Sequence, residues 1–305
     1  MNKIFLYSIL VLIISCNKTK QIKRNNTKTT NNSVNMNYIK KNSYRIYTRL
    51  NECQAELYVD DVLAFSFMGE ITTTGRTAVD VLINPFLLKS GKHSICLKMY
   101  PQHGKSTLSQ DSYGEIRNYF MNVENYDQET DLFTLETPNG DKTNLKNLPY
   151  FELKSELIVE LPFKIEGWSN SVNLKEEMEN KIDVKKQLLE SYDNLRQIIK
   201  KRDTEEFTKL IQEREDILGI AFYSSAKDKI NDLQEMLNII KNPNYELQPY
   251  PQNPVLVIHA NGKLASFLTV DREGIIELIN HKDENTITFD FKFHKKSKNG
   301  KFTII

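Results

Sequence analysis

Apolar and polar residues alternate in short segments between residues 38 and 165, a period-two pattern that is typical of β-strands. Cys53–Val59 and Val62–Phe67 are two such segments, separated only by Asp60 and Asp61. Two turn-forming residues between alternating segments predict a β-hairpin. The further strand candidates are Ser43–Thr48, Ala78–Ile83, Ser94–Tyr100, Arg117–Val123, Asp131–Glu136 and Glu152–Leu161, the last two separated by the turn sequence Pro138-Asn139-Gly140. We therefore predict an antiparallel β-sandwich domain over residues 38–170.

The apolar spacing changes to three and four residues between positions 172 and 242, which indicates α-helices. The first apolar series extends from Leu174 to Ile199, and Asp203 or Thr204 caps a second helix that Gly219 interrupts. The third helix begins at a capping box, which is formed by Ser225 and Asp228, and ends at Asn242-Pro243. Each helix carries a single apolar stripe, so we expect the three helices to pack on a core. A groove that binds a partner is the alternative use of such a stripe.

Strand patterns return between residues 246 and 305. The segments Val255–His259 and Lys263–Val270 flank Asn261-Gly262, and Asn-Gly between apolar segments is the strongest short hairpin signal. Three helices followed by an antiparallel meander predict an α+β domain over residues 171–305. The predicted fold class of the whole chain is α+β, with an N-terminal antiparallel β-sandwich, then a helical segment, then a C-terminal antiparallel sheet.

The N-terminus follows neither pattern. An apolar run, residues 4–14, comes directly after Lys3 and contains Ser8 as its one hydroxyl-bearing aliphatic residue. It is too short for a transmembrane helix, which needs about 20 residues, and it is typical of the core of a secretory signal peptide. Ser15 and Cys16 end the run.

The sequence Ile13-Ile14-Ser15-Cys16 resembles the lipobox of bacterial lipoproteins. The resemblance implies that residues 1–15 are a signal peptide, that lipid is attached to the thiol of Cys16, and that the mature chain is anchored to a membrane. An ordinary signal peptide with an incidental cysteine, or an N-terminal helix, is the alternative.

The next segment, residues 16–37, is rich in Asn and Thr and contains basic residues but no acidic ones. Such a composition cannot form a core, so we predict a disordered tether with a mean reach of about 25 Å. Contact of its basic residues with anionic lipid is an alternative to a solvated spacer. Some bacterial surface lipoproteins carry acidic residues directly after the acylated cysteine, and residues 17–20 contain none. By that resemblance we expect the protein at the outer membrane, facing the periplasm.

The charge of the chain bears on nucleic-acid binding, and its cysteines bear on disulfide formation. The formal net charge of the 305 residues is +1, and the basic turn from His294 to Lys298 has no interleaved aromatic residue, so we expect no nucleic-acid binding. Cys53 falls on the apolar face of its predicted strand, whereas Cys96 falls on the polar face of its own. We therefore expect two free thiols, although an exported protein is in a compartment that permits a disulfide.

Two stretches within residues 53–101, ELYVDDVLAFSF and VLINPFLLKSGKHSICLKMYP, resemble a paired signature of β-sandwich domains that accompany sugar-processing enzymes. Asp60-Asp61 replaces the Asn-Gly that is usual in that family's turn, and His93 replaces an Asn. The resemblance implies a sandwich fold and a hairpin rather than a particular binding site.

The sequence contains no pattern that indicates catalysis. None of its five histidines has the spacing of a metal ligand, and the common zinc-protease, nucleophile-elbow and phosphate-binding motifs are absent. We therefore predict no metal, no cofactor and no enzymatic activity. His259, at the end of a predicted strand, is interpreted as a histidine at the edge of the core. Trp168, between the two predicted domains, is a candidate partner contact if it is exposed, and packing at the domain junction is the alternative.

These observations favour a lipid-anchored envelope protein that acts by binding another macromolecule, as an immunity-type or adaptor lipoprotein does. The first alternative is a lipoprotein that binds glycans or small ligands in a site lined with aromatic residues. Its candidate residues are Tyr100, Tyr113, Tyr119 and Phe120. The second alternative is a hydrolase in which distant residues such as His259 and Asp290 converge in a pocket.

Overall fold

A computed structural model describes residues 40–138 and 144–305 of the chain. Cys16, the signal peptide, the tether and Asn139-Gly140 of the predicted turn lie outside the described residues. Within the described part, four α-helices and four antiparallel sheets form a mixed structure, which confirms the α+β class in broad terms.

The first eight strands form two four-stranded sheets, with the orders β4-β1-β6-β7 and β3-β2-β5-β8. The strands are β1 Asn42–Asn51, β2 Cys53–Val59, β3 Val62–Phe67, β4 Arg76–Leu82, β5 Gly91–Pro101, β6 Tyr113–Asn122, β7 Asn125–Glu136 and β8 Phe151–Val159. Alternate residues of both sheets belong to one hydrophobic core, in which Ile46 and Ile116 of the first sheet join Leu57 and Leu97 of the second. The period-two pattern places these residues on a single face of each strand.

The β2–β3 hairpin has the predicted boundaries. Asp60 and Asp61 both adopt positive φ, 48° and 62°, as the two central residues of a type I′ turn require. Aspartate tolerates this left-handed conformation better than most residues do. The same turn contacts the C-terminal part of the chain, because the backbone N–H of Ala260 donates to the Asp61 carbonyl oxygen at 2.9 Å.

The predicted number of three helices is wrong, because the described residues 171–305 form four. They are α1 Leu174–Glu179, α2 Val184–Lys201, α3 Thr204–Ala221 and α4 Ala226–Lys241. The first apolar series divides where Lys181 adopts a φ of 63° and the Asp183 side chain caps α2 by accepting from the backbone N–H of Lys186. Gly219 does not interrupt α3, and the predicted capping box of Ser225 and Asp228 is confirmed.

The C-terminal strands form two sheets, so the predicted single meander is also wrong. The strands are β9 Tyr245–Leu247, β10 Val255–His259, β11 Leu264–Leu268, β12 Ile276–Asn280, β13 Asn285–Phe289, β14 Phe293–His294 and β15 Thr303–Ile304. Their sheet orders are β10-β11-β14-β15 and β13-β12-β9. The alternating segment from Thr286 to Phe293 divides between the two sheets, because Phe289 ends its pairing with β12 and Phe293 pairs with Ala265 of the other sheet. The helices and both sheets share one core.

A third apolar cluster joins the N-terminal region, residues 40–170, to the C-terminal region, residues 171–305. It consists of Val62, Ile165, Trp168, Ile217, Ala260, Leu264 and Ile305. Polar contacts surround it: the Tyr223 hydroxyl donates to the Asn42 carbonyl oxygen at 3.0 Å, and Arg272 forms a salt bridge with Glu56. The two regions are therefore in direct contact.

Candidate functional site

A cavity of about 300 Å³ lies between α3 and α4 and is open to solvent along one side. We call it the α3–α4 groove. Its apolar lining is Leu218, Gly219, Phe222, Ile230, Leu233, Met236, Ile239, Ile287 and Phe289. Large apolar cavities with a few polar groups at their edges are the sites at which proteins most often bind ligands or partner segments.

The groove exists because α4 does not bury its apolar stripe. Only Ile240 of this helix is fully buried, Ile230 is 67% exposed, and Leu233 and Met236 are half-buried. Lys229 keeps the helices together at the end next to their connecting loop, where its aliphatic chain lies so close to Gly219 that a Cβ there would clash with it. The helices are therefore in contact next to the loop, and part of the apolar stripe of α4 stays accessible to solvent.

Acidic side chains predominate among the charged residues of the groove. Glu215, Asp216, Asp232 and Glu235 line it together with Arg214 and Lys229, and Arg214 forms a salt bridge with Glu215. Burial raises the pKa of the Asp232 carboxyl above its ordinary value, and repulsion from Glu235 and nearby acids adds to the shift. A group that binds here gains most if it is both apolar and positively charged.

A second cleft lies where the N-terminal and C-terminal regions meet. A cavity of about 270 Å³ is bounded by β3 and β4 on one side and by the turn Asp271–Gly274 on the other. A smaller cavity of about 90 Å³ shares Leu63, Ala64 and Asp290 with it. We call the two together the junction cleft.

The wall of the junction cleft carries a buried charge network. The Glu56 carboxylate is only 1% exposed; it accepts a hydrogen bond from the Tyr100 hydroxyl at 2.7 Å and pairs with Arg272. Burial alone lowers the pKa of Arg272, but the Glu56 carboxylate outweighs it and raises the pKa of the guanidinium. Burial and the Glu56 contact both raise the pKa of Tyr100. These groups hold each other in fixed positions, so they stabilise the junction.

Trp168 is 9% exposed and packs in the cluster at the junction. The structure therefore gives its indole ring the role of joining the two regions, which the sequence left as one of two alternatives. Contact with a partner stays a prediction, and only the small exposed part of the ring is accessible for it.

The structure does not bring His259 and Asp290 together in the α3–α4 groove or in the junction cleft. Asp290 lines both cavities of the junction cleft, while His259 lines neither these cavities nor the groove and is fully buried. The His259 Nε2 atom is 2.9 Å from the Ser266 hydroxyl. Burial, reinforced by the positive charge of Lys292, lowers the pKa of His259 to about 3, so the ring is neutral at pH 7.

The four aromatic residues expected to line a glycan site do not come together. Tyr100 faces outward on the sheet that contains β5, and Tyr113 and Tyr119 lie on β6 of the other sheet. Phe120 packs against the core, with its ring centroid 5.5 Å from that of Tyr44. The prediction of one aromatic site from these residues is therefore wrong.

The sequence did not reveal a buried Ser–His–Glu chain of contacts. The Ser171 Oγ atom is 2.7 Å from Nδ1 of His294, and Nε2 of His294 is 3.3 Å from a carboxylate oxygen of Glu213. Ser171 is 4% exposed and His294 is 1% exposed, so the serine hydroxyl is not accessible to a substrate. Residues so distant in sequence carry no local motif, and only the fold brings them together. The contact between His294 and Glu213 connects β14 to α3.

The basic turn from His294 to Lys298 is partly buried, because Lys295 is 1% exposed and its ammonium group is 2.8 Å from the Glu177 carboxylate. The two cysteines of the described part are free, as predicted. Cys53 of β2 is buried, which raises the pKa of its thiol to about 12. Cys96 of β5 is half-buried and lies on the other face of the same sheet.

Comparison of the chain with protein-family models, with curated proteins and with solved structures gives no match. Across residues 40–138 and 144–305, no helix combines the length and the apolar character needed to cross a membrane. The same residues contain no group of three or more His, Cys, Asp or Glu side chains arranged to hold a metal ion.

Proposed function

We propose that this chain is a lipid-anchored bacterial envelope protein that acts by binding another protein, in the manner of an immunity-type or adaptor lipoprotein. The observation that carries the proposal is the α3–α4 groove, in which an amphipathic helix leaves its apolar stripe accessible. Cys16 provides the lipid anchor, the segment 16–37 is the tether, and the outer membrane facing the periplasm is the proposed location.

The partner that fits the groove supplies a segment with apolar side chains and at least one Lys or Arg. Ile230, Leu233 and Met236 offer the apolar contacts, and burying large apolar side chains contributes about 1.5–3 kcal/mol each. Asp216 and Asp232 favour a cation near the edge of the groove. An amphipathic helix that inserts one face into an apolar groove is a recurrent mode of peptide recognition.

The rest of the fold supports this function by holding the groove in a fixed position. We infer that the two N-terminal sheets form the two layers of a β-sandwich, because residues from both belong to one core. The junction cluster around Trp168 and the pair formed by Glu56 and Arg272 connect this sandwich to the helices. The groove is then held at a defined position relative to the membrane tether.

Site-specific photo-crosslinking in cells tests the binding site. A photoreactive amino acid at Ile230 places the probe in the lining of the groove. The matched control carries the same amino acid at Gln234, which is exposed on the same helix but does not line the groove. We expect one envelope protein to be crosslinked from position 230, with the link in a segment that contains apolar and basic residues, and at least fivefold less from position 234.

Equal yields from the two positions, or links scattered over many abundant proteins, would contradict the proposal. The anchor is tested separately, because Cys16→Ser removes the acylated thiol. We expect this variant to leave the membrane fraction, and a variant that still sediments with membranes would exclude the lipoprotein assignment.

A second candidate function is the binding of a small polar ligand in the junction cleft. The observation that favours it is the position of the cleft between two regions of the chain, with Arg272, Glu273 and Asp290 in its lining. Titration with soluble glycans and metabolites, followed by the fluorescence of Trp168, distinguishes this function from protein binding, because Trp168 lines the smaller cavity of the cleft.

A further inference from the structure

We propose that residues 34–39 of this same chain dock in the α3–α4 groove when no partner is bound. The inference concerns the groove described above, and its regulatory consequence rests on the proposed function. Three observations carry it: the place where the described chain begins, the length of the groove, and the chemistry of the segment.

The described chain begins beside the loop end of the groove. The Tyr223 hydroxyl donates to the Asn42 carbonyl oxygen at 3.0 Å, and the Lys41 ammonium group lies 6.0 Å from the centre of the Tyr223 ring. Phe222 and Ser224, the two neighbours of Tyr223, line the groove. The residues that precede Lys40 are therefore attached next to its end.

An extended segment of this length is sufficient to span the groove. The α4 residues that line the groove run from Lys229 to Ile239, which is about 16 Å at 1.5 Å per residue. Residues 34–40, when extended at about 3.3 Å per residue, span about 23 Å. The segment is therefore long enough to reach along the groove without help from the rest of the tether.

The side chains of the segment complement those of the groove. Val34, Met36 and Tyr38 alternate with asparagines, so an extended backbone presents all three on one face. This face fits the apolar lining formed by Phe222, Ile230, Leu233 and Met236.

Charge adds to the fit. Residues 17–41 contain seven Lys or Arg and no Asp or Glu, whereas four acidic residues and two basic ones line the groove. Residues 34–39 are themselves uncharged, so the attraction acts through the cations that flank them, Lys28 on one side and Lys40 and Lys41 on the other. The chain therefore carries its own apolar segment between cations, which is the chemistry that the groove requires of a partner.

The regulatory consequence is competition between the segment and a partner. Because the segment is attached beside the groove, its local concentration is high, and a partner must displace it. A partner that binds more weakly than the segment is excluded. The tether thus sets an affinity threshold in addition to its role as a spacer.

Intramolecular photo-crosslinking of the purified full chain in detergent tests the docking without any partner. A photoreactive amino acid at Met36 is irradiated, and the linked peptides are identified by mass spectrometry. We expect links to α4 and to Phe222, at least fivefold more than from the same probe at Asn35, because an extended segment that directs Met36 into the groove directs its neighbour away from it. A second variant, Ile230→Glu, is predicted to reduce the links from position 36 at least fivefold while the circular dichroism spectrum stays unchanged, because Ile230 is exposed.

Links from position 36 to surfaces outside the groove, or no intramolecular links, would overturn the docking. Because no partner is present, that result leaves the proposed function untouched. In cells, the variant Val34→Asp/Met36→Asp is expected to raise the yield of the partner crosslink from position 230 at least threefold. An unchanged yield would overturn the competition, and the absence of any partner link in both chains would overturn the proposed function itself.

Discussion

At the scale of single residues, the interior contains polar groups whose ionisation is controlled by burial. In one pair, the Nδ1 atom of His93 lies 2.6 Å from a carboxylate oxygen of Asp60. Burial alone raises the pKa of Asp60, but hydrogen bonds from His93 and Ser94 outweigh it and lower the pKa. Burial alone lowers the pKa of His93, but the contact with Asp60 outweighs it and raises the pKa. His259 contacts the Ser266 hydroxyl instead, and burial lowers its pKa. The pKa values of the two histidines are therefore shifted in opposite directions.

His259 is expected to make the protein sensitive to acid. Its pKa is lowered from 6.5 to about 3, so between these pH values the unfolded chain binds a proton that the folded chain does not. The free energy of unfolding then decreases as the pH falls, by up to about 1.4 kcal/mol per pH unit for this one group. We expect His259→Gln to reduce the slope of stability between pH 6 and pH 4 by about 1 kcal/mol per unit. Urea unfolding at several pH values measures this slope. The control is His281→Gln, which replaces an exposed histidine.

Gly274, in the turn before β12, is predicted to be a position that admits no larger residue. A Cβ at this position would clash with the backbone carbonyl of Phe289, and a backbone atom has no room to move aside. We expect Gly274→Ala to lower the free energy of unfolding by about 3 kcal/mol or more. The control Gly104→Ala, at a φ of 77° with open space around it, should cost only about 1–2 kcal/mol from backbone strain. Equal losses would contradict the close contact.

At the scale of elements, local signals were the most predictable part of the sequence. The Asp60-Asp61 hairpin and the Ser225 cap both have local chemistry, and both were found at the predicted positions. The break between α1 and α2 was missed because the apolar spacing continues through Ile182, while Lys181 leaves the helical conformation. Gly219 was misinterpreted because its role, to admit Lys229 of the next helix, depends on tertiary contact.

The contact between α1 and the end of β14 depends on the buried pair of Glu177 and Lys295. The Lys295 ammonium group also donates to the Gln187 side-chain oxygen at 3.0 Å and lies 5.8 Å from the centre of the Phe302 ring. We expect Lys295→Met to cost about 3–5 kcal/mol, because the carboxylate is then buried without a cation. The double variant Lys295→Met/Glu177→Leu should recover most of this loss, and chemical denaturation of the wild-type chain and the two variants measures it. A double variant that is no more stable than Lys295→Met would show that the pair does not act as a unit.

At the scale of the whole molecule, the fold class was predictable, whereas the arrangement of its parts was not. Period-two and period-three-to-four patterns report which face of an element is buried, but they do not say which distant element covers it. The division of the C-terminal strands into two sheets and the contacts of Ser171 with His294 both arise from pairing across long sequence separations. For the same reason the α3–α4 groove was visible in the sequence only as an apolar stripe.

The junction cluster is expected to make the two regions unfold together. Trp168 is the only tryptophan, so its fluorescence reports on the junction, while circular dichroism reports on all elements. We predict that the two signals change at the same urea concentration and that Arg272→Met lowers both midpoints, with a loss of about 2–3 kcal/mol because Glu56 is left buried without its cation. A fluorescence transition that precedes the loss of secondary structure would mean that the regions separate before they unfold.

The central claim is that this protein binds a protein partner through the α3–α4 groove. The most direct test is affinity capture of the tagged, membrane-anchored full chain from its own envelope, compared between the wild-type chain and two variants of α4. Ile230→Glu places a charge in the groove, and Gln234→Glu adds the same charge to the same helix outside it. We predict one partner in near-stoichiometric yield with the wild-type chain and with Gln234→Glu, and at least a tenfold lower yield with Ile230→Glu. A partner that is captured equally by all three chains, or no partner with any of them, would contradict the claim.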